Sequence, residues 1–80
     1  MTSHNITLDT ARVGRRYRVC GISLPKPTER RLEALGMTEG TPLSLLNSKG
    51  GRGAMVIKVR GTRLAIGRGI ASGIEISEVR

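Results

Sequence analysis

The 80-residue chain has no Phe and no Trp, and Tyr17 is its single aromatic residue. Its interior must therefore be built from Leu, Ile, Val and Met. The stacking of bases on aromatic rings used by single-strand nucleic-acid binders has almost nothing to work with. Cys20 is the only cysteine, so no internal disulfide can form and no oxidising compartment is implied. His4 is the only histidine. A zinc site needs three or four ligands and a nucleophilic thiol needs a base, and one Cys with one tail His assembles neither. No catalytic residue, cofactor or metal site is expected, and the chain does not read as an enzyme. No segment approaches the roughly 20 consecutive apolar residues of a spanning helix. The start, Met-Thr-Ser-His-Asn, lacks the basic and apolar parts of an export signal, so a cytoplasmic protein is expected.

Acid is scarce as well: 6 Asp+Glu stand against 14 Lys+Arg, a formal net charge of +8. The excess is spread along the chain, +3 over residues 1–40 and +5 over 41–80. Such a balance bears on partners: nucleic acid, an anionic membrane face or an acidic protein surface. Arg12, Arg15, Arg16 and Arg18 make the best case for phosphate binding. Tyr17, alternating with Arg16 and Arg18, is expected to point inward. A solvated basic strand face is thus the first reading, an acidic protein or lipid surface the second, nucleic acid the last.

What the chain has in quantity is glycine, 11 residues, which suits sharp corners between short strands. Its length makes one domain, burying only about 60% of its unfolded surface. Residues 1–7 read as a polar tail and 8–80 as the domain, with Leu8 the first anchored residue. Alternation from Arg15 to Ile22 marks a half-buried strand. Pro25 and Pro27 break it. Thr28 then offers an N-cap for a short helix from Glu29 to Leu35 that shows Leu32 and Leu35 on one face and stops at Gly36. Such a helix, barely two turns, must dock on a sheet to persist.

A turn at Thr38–Thr41 leads to a strand at Pro42–Asn47 with Leu43 and Leu45 inward. Ser48–Gly53 is a hairpin tip, and Ala54–Arg60 the strongest strand, with Met55, Ile57 and Val59 inward. A turn at Gly61-Thr62 starts Arg63–Ile66; Gly67–Gly73 is a corner with room for one helical turn, and Ile74–Val79 closes the fold. Strand, helix, then four strands close most economically into a small, mainly β, partly open barrel. Neither glycine cluster is a phosphate loop. Gly50-Gly51-Arg52-Gly53 lacks the following Lys-Ser/Thr, and Gly67 to Gly73 misses dinucleotide spacing by one residue.

Arg31-Leu-Glu-Ala-Leu-Gly-Met-Thr-Glu-Gly40-Thr resembles the signature of the ferrous iron transport protein A (FeoA) family, and Met55 to Ile66 resembles that family's apolar strand, Arg-Gly turn and Leu-Ala-aliphatic return. The resemblance runs over about residues 8 to 79. It departs at Gly67-Arg68-Gly69-Ile70-Ala71, where two glycines weaken any helix. It implies an SH3-like barrel with a short helix inserted after the first strand. It also implies an accessory role in ferrous iron uptake, on the cytoplasmic GTPase portion of the membrane ferrous iron transporter (FeoB). Two alternatives are a small basic nucleic-acid-binding barrel and a stand-alone relative of the SH3-like domain of iron-dependent repressors. For the partner-binding surface, Met37 with Arg60 and Arg63 are the candidates. Leu35 is expected to seal the helix onto the barrel; Met37 has two readings, sealing the helix as well or staying exposed as a docking knob.

Overall fold

The structure, a computed structural model, describes residues 5–48 and 53–79. His4 and most of the expected 48–53 hairpin tip lie outside them. The elements run β1 (Ile6–Thr7), a 3-10 turn (Leu8–Thr10), β2 (Arg16–Ile22), α1 (Lys26–Ala34), β3 (Pro42–Ser48), β4 (Met55–Val59), β5 (Thr62–Ile66), α2 (Arg68–Ala71) and β6 (Ile74–Glu78). All pair antiparallel in one six-stranded sheet of order β1-β6-β2-β3-β4-β5. Its edges are therefore β1 and β5. This is the mainly β, partly open SH3-like barrel, with its helix after the first long strand.

The alternation works as the sequence implies. Tyr17, Val19, Leu43, Leu45, Met55, Ile57 and Val59 are buried, joined by Leu8, Leu32, Met37, Ile66, Ala71, Ile74 and Ile76 in one core. Two register shifts, between Val19 and Gly21 and between Leu45 and Asn47, bend β2 and β3. Bulges of this kind raise local twist, which helps a small sheet wrap around its own interior. The buried Tyr17 keeps a partner for its phenol, whose oxygen accepts the Arg12 amide N–H at 2.9 Å.

Three boundaries differ most from the sequence reading. Ile6 and Thr7, placed in the tail, already pair with Ile76 and Glu75 as strand β1. Helix α1 begins at Lys26 rather than Glu29, with Pro25 at its N-cap. A proline in the first turn costs little because that N–H has no intrahelical partner in any case, so Pro27 belongs to the helix rather than to the break. The β4–β5 turn is Arg60-Gly61, both with positive φ (52° and 78°), not Gly61-Thr62. A two-residue loop with both residues left-handed matches the right-handed twist of a hairpin. The Gly67–Gly73 corner agrees with the sequence reading: it holds the one helical turn it had room for, α2, despite its two glycines. Arg68 anchors it, donating to the Asp9 carbonyl at 3.2 Å and to Ser48 Oγ at 2.9 Å.

Gly73 is required for a different reason from the turn glycines. A Cβ there would lie 2.8 Å from the Ser23 carbonyl oxygen and 2.5 Å from Leu24 Cδ2, while the Ser23 amide donates to the Gly73 carbonyl at 2.7 Å. The chain after β2 can pack against the start of β6 only because no side chain stands between them.

Candidate functional site

The end of α1 decides which side chains reach solvent. Leu35 is its C-cap, and Gly36 follows with φ 102°. The Gly36 amide donates to the Glu33 carbonyl and the Met37 amide to the Leu32 carbonyl, at 3.0 and 2.9 Å. These are the paired reverse bonds of a Schellman stop, in which the second residue past the cap turns back onto the apolar side of the last helical turn. Met37 therefore enters the core and is 0% exposed, beside Leu32 at 6%. Leu35 is rotated out and is 44% exposed. Of the two readings of Met37, the structure takes the sealing one, so Met37 is no docking knob; Leu35, expected to seal the helix, does not.

The other two candidates part company as well. The side chain of Arg60 lies across Gly36, its Cδ 2.6 Å from where a Gly36 Cβ would be. Its cationic chain thus sits at the carboxyl end of α1, where unpaired carbonyls favour positive charge. Arg63 is exposed on β5, directly opposite Lys58. Met37, Arg60 and Arg63 do not form one surface.

The structure instead assembles a groove. Thr28, Arg31, Leu32 and Leu35 of α1 and its cap form one wall; Leu64, Ala65 and Ile66 of β5, with Gly67 and Ile70 leading into α2, form the other. Leu64 and Ile70 are half-buried against the core and Leu35 stands at the rim. Beside it runs β5, an edge strand with one side unpaired. Sequence reasoning missed this groove because it set Leu35 into the barrel. The Leu-Gly-Met spacing itself holds the correction, since a Schellman stop buries the residue after the glycine.

Electrostatic pairing is sparse. Among the described residues the ion pairs are Arg15 with Glu78 at 2.7 Å and Lys26 with Glu29 at 3.7 Å, both on the surface. The hydrogen bond that Arg15 donates to the Glu78 carboxylate, and the charge of that carboxylate, hold the guanidinium above its ordinary pKa. Cys20 is half-buried at the β2 bulge, with its thiol near Asn5 Oδ1 (3.6 Å) and the Arg18 carbonyl (3.8 Å), neither of which is a base. Among the described residues, no three His, Cys, Asp or Glu side chains are gathered to hold a metal ion. No helix among them is long and apolar enough to cross a membrane.

Residues 6–78 match the family model of the FeoA domain. The chain is similar to a crystal structure described as iron uptake regulatory protein (FeoA), with 26% identity and a TM-score of 0.86, over 95% of this chain and 100% of that one. It is also similar to the FeoA protein of Chlorobium tepidum, with 24% identity and a TM-score of 0.87, over 94% of this chain and 71% of that one. A manganese-dependent transcriptional repressor shares the fold at 19% identity and a TM-score of 0.88; there 99% of this chain covers only 44% of the other. No curated protein matches the chain.

Proposed function

The chain belongs to the FeoA family and is a small protein associated with ferrous iron uptake, and we propose that within this process it is an adaptor that docks on the cytoplasmic GTPase portion of the membrane ferrous iron transporter. One observation carries the reading. A chain with formal charge +8 keeps an aliphatic groove open to solvent, lipped by the 44%-exposed Leu35 and bordered by an edge strand. Exposed apolar concavities rimmed by polar residues are where proteins meet partners. An edge strand adds main-chain donors and acceptors to which an extended segment can pair. Arg31 at the groove wall suits an acidic segment.

The adaptor works by binding, not by chemistry: the GTPase is the partner's, the sequence of this chain carries no phosphate-loop motif, and among the described residues Cys20 has no base beside it. Such a role places it on the cytoplasmic side of the membrane. The nucleic-acid alternative is the weaker reading, because the one aromatic ring, Tyr17, is 2% exposed and has no face to offer a base. The repressor alternative rests on a likeness of fold.

The test is capture of the transporter from solubilised membranes by immobilised chain. Wild type is expected to retain it and Leu35→Asp to lose it. Equal retention by both would reject the groove as the docking site.

A further inference from the structure

We propose that the outer face of the sheet is a membrane-contact surface, which takes the phosphate headgroups of anionic lipid. Strand register assembles this surface. Arg16 lies opposite Ser44, Ser44 opposite Lys58, and Lys58 opposite Arg63. These four positions form one row across β2, β3, β4 and β5. With neighbouring strands about 4.8 Å apart, the row spans roughly 14 Å. Arg16, Lys58 and Arg63 are exposed, and Ser44 is half-buried between them. Arg16, Pro42, Leu43, Ser44 and Lys58 line a shallow depression at its centre.

None of the three cations has an ion-pair partner among the described residues. Lys58 and Arg63 stand directly across from each other, an arrangement that destabilises a strand pair unless something negative lies over it. No acidic side chain lies on the row or in the depression. Half of the chain's acid, Glu29, Glu33 and Glu39, gathers instead around a different hollow with Val19, Gly21 and Met37. Charge is thus sorted by surface. Beside the row, Val13 and Leu46 are 57% and 38% exposed. The Gly14 amide, donating to the Leu45 carbonyl at 3.1 Å, ties the Val13 loop to that end of β3. A basic row next to exposed aliphatic side chains fits the boundary between headgroups and acyl chains.

Other occupants fit less well. Three of the four row positions are on strands already paired on both sides, so a peptide finds no backbone to join there. A second copy carries the same charge of +8. Nucleic acid finds no exposed ring. The surface is also distinct from the groove, since Arg63 alternates along β5 with Leu64, and successive side chains of a strand point to opposite faces.

The experiment is cosedimentation of the full chain with vesicles of phosphatidylcholine alone, or of phosphatidylcholine with phosphatidylserine, at low and high salt. The vesicles hold no transporter, so the outcome is independent of the groove reading. Wild type is expected to sediment with the anionic vesicles only, and less at high salt. Lys58→Glu/Arg63→Glu should weaken this by about tenfold or more, and Leu46→Ser by less. Both variants alter exposed side chains, and an unchanged thermal melt verifies that they fold. Equal binding to neutral vesicles, or full binding by the double reversal, would overturn the proposal. So would vesicles that fail to sediment the chain while inorganic phosphate, an acidic peptide or RNA binds the same row.

Discussion

Arg60 lies across Gly36, with its Cδ 2.6 Å from the place a Cβ would occupy, so the β4–β5 turn and the end of α1 are packed through a missing side chain. Both residues have positive φ, 52° and 102°. Gly36→Ala is therefore expected to destabilise by about 1–2 kcal/mol for its backbone conformation alone, plus whatever the contact adds. Urea denaturation of Gly36→Ala, Arg60→Ala and the double variant separates the two. If the contact matters, the double variant loses less than the sum of the singles. Strict additivity would show that Arg60 yields without cost.

The contrast between exposed Leu35 and buried Met37 makes a paired prediction. Met37→Ala should cost about 2–5 kcal/mol, as other large-to-small changes in a packed core do. Leu35→Ala should stay within about 0.5 kcal/mol, in keeping with an exposed position. Comparable losses at both sites in thermal or urea melts would contradict the helix stop described here.

Leu32, 6% exposed, holds α1 to the sheet. Leu32→Ala should destabilise by about 2–5 kcal/mol. A loss below about 1 kcal/mol would mean that α1 is held by something other than the core.

Much of this could be read from the chain itself. Period-two alternation from Arg16 to Val19 and from Met55 to Val59 needs only a one-sided core, and there the structure follows the sequence residue by residue; beyond Val19 the bulge ends it. The failures have local causes. Pro25 and Pro27 look like a break, yet the first turn of a helix has spare N–H groups and tolerates them. Ile6 and Thr7 are too short a run to show alternation; their pairing is decided by β6, some 70 residues away. Leu35 and Met37 both look apolar and equally placed, and only the geometry of the glycine stop sorts them. The basic row was not legible at all. Arg16, Lys58 and Arg63 lie far apart in the chain, and strand register alone brings them into line.

Arg68 joins three parts of the fold, α2 with the Asp9 carbonyl and the end of β3. Arg68→Ala should cost about 1.5–3 kcal/mol per charge-assisted bond lost at most. Arg68→Lys should recover only part of this, because an ammonium cannot reproduce the fork of a guanidinium. Full rescue by lysine in a thermal melt would show that charge, not geometry, holds α2.

In the proposed function, the transporter's cytoplasmic GTPase portion recognises the α1–β5 groove. The most direct measurement is the affinity of that purified portion, free of membrane, for wild type, Leu35→Asp and Lys58→Glu/Arg63→Glu by titration calorimetry. Leu35→Asp is expected to abolish measurable binding while the charge reversal leaves it nearly unchanged. Loss on charge reversal with Leu35→Asp retaining wild-type affinity would contradict this, and would move the docking site from the groove to the basic face of the sheet.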